Sequence, residues 1–334
     1  MRRLQTAALI VAVAALFGPG ARAYLKLGTS VNDRVVGVQW NAFPVQYFIT
    51  SRDDDRVSAA ELEAVVSRAF GTWGAVPSAK VSAAFAGFTT AEPVVDDDQL
   101  SVIGFLDLPD MDRTLGAATF EIDETTGRLV AADIFFNSVF DWSVAPSGET
   151  GRFDLESVAV HEVGHVLGLG HSALGETELS GSGRRTVLGK RAVMFPIAYP
   201  RGSIEDRSLE ADDIAGLSDI YASGEFNRAF GAIRGRVRLD GQGLFGAHVT
   251  AFNIRTGALV AGFALSDQGD FVIAGLEPGL YIVRAEPLDD GDLESFFAED
   301  TEVNIDFRAT YFPRLVGVPE GGAGDVVEIA VTAK

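Results

Sequence analysis

Three of the chain's four histidines stand within eleven residues, in the string HEVGHVLGLGH at 161–171. On an α-helix, residues four apart lie one above the other, so His161 and His165 face the same way and can share one ion between two imidazoles. Glu162 sits about 100° round the helix from His161, near enough to address a water on that ion without being forced to ligate it. Gly168 permits a left-handed exit from the helix, after which His171 can swing back as a third ligand from another direction. Three neutral imidazoles and one open position describe a catalytic zinc centre rather than a closed structural one. Such a centre makes a hydroxide-like nucleophile near neutral pH, with Glu162 as the proton acceptor. Short H-E-x-x-H strings arise by chance, and a lone histidine is usually a surface or core residue. The extended pattern H-E-x-x-H-x-x-G-x-x-H, however, fixes five positions and is complete here.

The elements that must position these residues can be read from periodicity. The segment 153–168 reads as a helix with Asp154 as its N-cap, and Val160, Val163 and Leu167 form an inward stripe. A helix over 58–73 opens on a Ser58/Glu61 capping box and carries Leu62, Val65, Val66, Ala69, Phe70 and Trp73 on one face. A last helix is expected over 208–222, capped by Ser208. Runs at 44–50, 100–106, 115–123 and 128–137 look like strands, the last two joined by the turn ETTG at 124–127. After about Gly224 the helix signals stop, and seven or so short β-rich runs separated by Gly, Asp and Pro turns suggest a β-sandwich. The expected fold class is therefore α+β, a twisted mixed sheet with three main helices, followed by an all-β sandwich. The expected divisions are 1–23, 24–223 and 224–334, with the inter-domain boundary inside 222–231.

The string HEVGHVLGLGHS resembles the zinc signature of the metzincin peptidases, and Ser172 after the third histidine is similar to the matrixin branch. AVMFPIAYP at 192–200 resembles the matrixin Met-turn, which implies Met194 beneath the zinc and Pro196 and Tyr199 in the loop that shapes the substrate pocket. Tyr199 stands five residues past Met194, unlike branches in which a tyrosine two residues on approaches the metal, and it is not assigned as a ligand. The final helix resembles its matrixin counterpart, with Asp212 and Asp213 at the paired-acid position, so the likeness runs from about Val38 to Ala222. It implies a metzincin-type fold, His161, His165 and His171 on zinc, Glu162 as the catalytic base, and a peptide lying extended along LGAATFE at 115–121. Two departures stand out. The cysteine switch of animal matrixins cannot exist in a chain without cysteine, and the histidines of their structural zinc are missing; His248 alone remains, an ordinary strand residue. Calcium is a further candidate ion, because Asp123, Asp133 and Asp141 fall near places where matrixins hold ions, but their spacing is not diagnostic. Residues 235–288 resemble the carboxypeptidase regulatory-like, transthyretin-type β-sandwich family, a likeness of turns and alternation that specifies fold better than activity.

The chain opens MRRLQTAALIVAVAALFGPGARAY, with arginines ahead of a short apolar run and the triplet Ala21-Arg22-Ala23. That reads as a secretory signal peptide cleaved after Ala23, too short to span a bilayer, so the mature protein is expected to be secreted, extracellular or periplasmic, with no membrane span. A net charge of −20 argues against nucleic acid and anionic lipid as partners. The acidic clusters Asp53-Asp54-Asp55, Asp96-Asp97-Asp98 and Asp289-Asp290 read as solvated loops. The Gly-, Ser- and Arg-containing connection between His171 and Met194 reads as a mobile surface loop near the cleft. The implied partner is a protein or peptide substrate, and a monomer is expected. Two other functions compete with a secreted zinc endopeptidase: an adhesion or recognition protein with an inactive peptidase unit, and a zinc hydrolase of non-peptide substrates.

Overall fold

The computed structural model describes residues 26–334 apart from 32–33, 53–55, 95–97, 124, 182–184 and 225. The signal segment at 1–23, the cluster Asp53 to Asp55, and Asp96 and Asp97 lie outside the described residues. A small antiparallel hairpin comes first, β1 (Gly28–Val31) with β2 (Arg34–Gly37). The main sheet follows, from β3 (Val45–Thr50), β4 (Ala83–Thr89), β5 (Val102–Leu106), β6 (Gly116–Asp123) and β7 (Arg128–Asn137). Its order is β4-β3-β5-β7-β6, parallel throughout except for β6, which runs antiparallel to β7 at one edge. Strand β4 has no counterpart among the sequence expectations. It forms the opposite edge and is half exposed along its length, so its residues show no alternation to read.

Helix α1 (Ala59–Gly74) starts on Ser58, whose side chain accepts from the Glu61 amide while Glu61 accepts from the Ser58 amide, and it buries the six apolar residues of its predicted face. It packs against α2 (Leu155–Val166), and the Trp73 indole donates to the Val160 carbonyl at 2.8 Å. Two-residue strands β8 (Trp142–Ser143) and β9 (Phe153–Asp154) pair in parallel just before α2. Helix α2 is buried on every side except at His161, so it runs through the core rather than over it.

The connection after His171 is not an irregular loop. Within it β10 (Gly175–Leu179) pairs antiparallel with β11 (Arg185–Lys190), where Val187 finds a buried side while Leu188 and Leu179 stay exposed. The last helix also differs from expectation. Ser208 closes a 3-10 turn at Glu205–Arg207 rather than capping the helix, and α3 spans Ala211–Ile220. It begins there because the Asp213 carboxylate accepts from the Glu210 amide at 2.9 Å and so sets the first turn.

A single turn, α4 (Phe226–Ala229), leads into strands alone apart from a 3-10 turn at Leu293–Ser295. One sheet contains β12 (Gly231–Leu239), β13 (Gln242–Gly243), β16 (Asp270–Leu276) and β20 (Ala323–Val331), the last parallel to β12. The other contains β14 (His248–Asn253), β15 (Leu259–Phe263), β17 (Gly279–Glu286), β18 (Thr310–Tyr311) and β19 (Val316–Val318). Ile233, Val237, Phe271 and Ile329 from the first sheet share a core with Val249, Ala251, Val283 and Val316 from the second. Helix α3 belongs to both halves: Leu217 sits in the core around α2, and Ala215 in the core between the two sheets.

The cap of α2 is also an ion-pair site. Asp154 accepts from the Ser157 amide at 2.9 Å and from Arg207 Nε at 2.9 Å, with its own side chain 2% exposed. Asp154→Ala removes the cap and the nearer of the two carboxylates that face the largely buried Arg207 guanidinium, leaving Glu156 at 3.9 Å, so it should destabilise by about 2 kcal/mol. Glu61→Ala in the exposed box of α1 should cost below about 1 kcal/mol. Urea unfolding of the two variants checks the contrast, and equal losses would contradict it.

Candidate metal centre

Helix α2 presents His161 and His165 one turn apart, with ring centroids 4.8 Å from each other. The helix ends as the sequence requires. Gly168 adopts φ +90°, where a Cβ would stand 2.5 Å from the Val38 carbonyl oxygen, and its amide donates to the His165 carbonyl at 2.7 Å. The chain turns back, and His171 comes within 4.8 Å of His165 and 5.4 Å of His161, centroid to centroid. One ring nitrogen of each histidine lies within 4.8 Å of the other two, and the triad is the only cluster of this kind that could hold a metal ion among the described residues.

Which nitrogen faces the centre is settled by hydrogen bonds. Nδ1 of His161 meets the Val193 carbonyl at 2.7 Å, Nδ1 of His165 the Leu169 carbonyl at 2.8 Å, and Nδ1 of His171 the Ser295 carbonyl at 2.6 Å. A carbonyl can only accept, so each Nδ1 carries the proton and each Nε2 keeps a lone pair. The rings are also held neutral. Burial lowers the His161 pKa well below its ordinary value, with His165 and His171 adding repulsion. Burial likewise pushes His165 down to about 3, with repulsion from His171 in support, and His171 down to about 4. Three convergent neutral Nε2 donors are the donor set that zinc takes.

Glu162 is 4% exposed, and burial pushes its pKa up to about 8 against the opposing pull of the Ala118 amide. Its Oε2 is buried with no hydrogen-bond partner in the protein. Gly116, the first residue of edge strand β6, lies beside it: a Cβ there would stand 3.3 Å from Glu162 Oε1. The carboxylate is thus set between the histidine centre and the one antiparallel edge of the sheet.

Met194 packs beneath α2. A Cβ on Gly164 would meet the Met194 sulfur at 2.3 Å and the Trp73 ring at 2.8 Å, so the glycine between the histidines is what lets the sulfur approach. The 192–195 segment is held by Asp213, which accepts from the Val193 and Met194 amides at 2.9 and 3.1 Å. Neighbouring Asp212 accepts from the Ser172 hydroxyl at 2.6 Å and from the Ala261 amide of β15 at 2.8 Å. Burial raises both acids, Asp212 to about 7 and Asp213 to about 6. The Tyr199 hydroxyl accepts from the Lys190 amide at 3.2 Å, and the Lys190 ammonium stands 5.1 Å over its ring.

The matrixin family profile matches residues 39–179, a span that contains all three histidines and Glu162 and stops short of Met194. This unit is a matrixin-like metzincin. The chain is similar to Metalloendoproteinase 4-MMP of Arabidopsis thaliana, 30% identical over 174 residues that cover 50% of this chain and 42% of the relative. Metalloendoproteinase 1 of Glycine max is 28% identical over 194 residues, 55% of this chain and 52% of that one. Matrix metalloproteinase-23 of Homo sapiens is 27% identical over 195 residues, covering 55% and 43%. The chain thus spans about half the length of the curated relatives it matches.

Other candidate residues of the matrixin-like unit lie outside the centre. Asp133 accepts from the Val102 amide at 2.7 Å, Asp123 from Thr125, and Asp141 pairs with Arg56 and Arg201; the three acids form no shared cluster among the described residues. His248 is buried in β14 with Nδ1 3.2 Å from Glu286. Sequence reasoning missed Gly116, Gly164 and Ser295. The first two had a visible signal, a small residue at the start of the predicted edge strand and another inside the histidine string; a backbone carbonyl 124 residues downstream of its histidine had none.

Gly164→Ala should force Met194 or Trp73 aside and destabilise by about 1–3 kcal/mol. Gly189→Ala, which meets nothing within 4 Å, should stay within about 0.5 kcal/mol. Chemical unfolding of both reads the difference, and a neutral Gly164→Ala would refute this account of the packing.

Proposed function

We propose that the protein is a secreted zinc-dependent endopeptidase in which His161, His165 and His171 hold the metal, Glu162 is the general base and Met194 is the Met-turn methionine. The observation that carries this reading is the convergence of three Nε2 lone pairs beside a buried carboxylate that has one unpartnered oxygen. Zinc held there supplies Lewis acidity, to a peptide carbonyl and to a water alike.

The chain's own groups do the rest. The edge of β6 that β7 leaves unpaired is available to an extended peptide, whose backbone would add to the sheet there and run past Glu162. Glu162 Oε2 takes a proton from the attacking water and delivers it to the leaving amine nitrogen. Burial makes this carboxylate a stronger base than a solvated one, and a dication beside it lowers its pKa again toward neutrality, the range in which one group can both accept and release a proton. The carbonyls of Val193, Leu169 and Ser295 keep the three rings in one tautomer through the cycle.

The printed names of the plant relatives, metalloendoproteinases, support the same class of reaction. Export follows in this proposal from the signal segment at 1–23, and among the described residues no helix is long and apolar enough to cross a membrane. Residues 224–334 are read as an appended sandwich of the carboxypeptidase regulatory-like type. An unfolded protein such as casein is the test substrate. Cleavage should stop on chelation and return with zinc. His165→Ala should lose the metal, whereas Glu162→Gln should keep it and lose roughly 10²–10⁴-fold in kcat. Turnover by Glu162→Gln at the wild-type rate would remove the glutamate from the mechanism, and chelator-insensitive cleavage would remove the metal.

A further inference from the structure

Two of the three histidines are oriented from within the matrixin-like unit, through Val193 and Leu169. The third is not. His171 Nδ1 donates to the carbonyl of Ser295, in the connection that follows β17 of the C-terminal sheets. We propose that the 289–297 segment of the C-terminal unit is a positioning element of the metal centre, holding His171 in the tautomer and orientation that the cation requires. The inference rests on the zinc reading given above.

The segment is built to hold that carbonyl still. Its 3-10 turn is closed by the Ser295 amide on the Asp292 carbonyl and by the Phe296 and Phe297 amides on the Leu293 carbonyl, each at 2.9 Å. Phe296 and Phe297, 1% and 2% exposed, are packed in one cluster with Phe263, Leu288 and Ala173, the last only two residues beyond His171. From the other side the β10–β11 hairpin clasps it. Thr177 donates to the Asp290 carboxylate at 2.7 Å and to its carbonyl at 2.8 Å, and Arg185 donates to the Asp289 carbonyl at 2.9 Å. The backbone beside His171 is tied to the same unit a second time, through Ser172, Asp212 and the Ala261 amide. An aromatic anchor, a polar clasp and a closed turn therefore converge on one carbonyl, and that carbonyl serves one ligand. Released from it, the His171 ring can rotate and shift its proton to Nε2, which removes the lone pair a metal needs.

The test is a double-mutant cycle in the full chain, with zinc affinity measured by competition against a chromophoric chelator and the site read separately from the visible spectrum of the cobalt-substituted protein. Phe296→Ala should weaken zinc roughly 10- to 100-fold, the usual effect of losing a partner that orients a ligand. In a His171→Ala background the same substitution should have no further effect on zinc, because the ring it acts through is gone. If Phe296→Ala does not fold, Asp290→Ala, which opens the clasp from the half-buried side, enters the same cycle and should weaken zinc in the same direction. Equal weakening in both backgrounds, or unchanged affinity in the wild-type background, overturns the proposal while leaving the zinc reading intact. If His171→Ala and His165→Ala themselves leave zinc binding unchanged, the zinc reading fails instead.

Discussion

The centre depends on three hydrogen bonds from imidazole to backbone. A histidine offers two nitrogens, and only an acceptor fixed against one of them decides that the other faces inward with its lone pair free. Here the acceptors are carbonyls from three separate places: the segment that carries Met194, the turn leaving α2, and the C-terminal unit. Each must be delivered by its own structural means. Asp213 gathers the amides of Val193 and Met194, and so aims the Val193 carbonyl at His161. Gly168, with φ +90°, turns the chain so that the Leu169 carbonyl returns to His165, four residues before it. Much of the fold around α2 can be read as the means of supplying these oxygens.

The same burial that makes the site chemically apt opposes folding. His165 and Glu162 are removed from water and His161 and His171 partly so, and the pKa values of all four move toward the neutral form. An unpartnered carboxylate oxygen in such a place is a cost that apolar packing must outweigh. The packing is correspondingly dense: Trp73, Met194, Val160 and Val163 are all at most 2% exposed around α2, and the methionine sulfur lies where a side chain on Gly164 would stand. Stability and reactivity meet at that glycine, since its Cβ would displace the packing that supports the helix between two of the histidines.

Much of this was legible in the sequence where the signal is local. The capping box of Ser58 and Glu61, the buried face of α1, the Asp154 cap and the left-handed Gly168 all follow from spacing within one or two helical turns, and the structure places them as expected. Legibility failed where burial was uneven or the partner was remote. Strand β4 carries no alternation because it is a half-exposed edge, and the β10–β11 pair was hidden by the glycines, serines and basic residues of its stretch of sequence although Val187 finds a buried side. Ser208 has the right chemistry for a cap, but Asp213 sets the start of α3 three residues further on, since it already accepts from the Glu210 amide. The string at 161–171 located the site; it held no information about Ser295, because a main-chain acceptor leaves no mark on residue type.

The adjacent acids of α3 explain why the two units and the centre form one mechanical system. Successive helical residues point about 100° apart, so Asp212 and Asp213 serve different neighbours from one turn of helix. Asp213 holds the methionine segment through two amides and its own helix start through a third. Asp212 holds Ser172, next to the third histidine, and Ala261 in β15. Two buried carboxylates side by side repel, and burial raises both pKa values; the first turn of a helix is the place where the backbone dipole offsets such charge best. One turn therefore fixes the Val193 carbonyl, the backbone at His171 and the docking of the β-sheets that carry Ser295. A displacement of α3 would move the acceptors of His161 and His171 together, so the geometry of the triad and the seating of the C-terminal unit cannot vary independently.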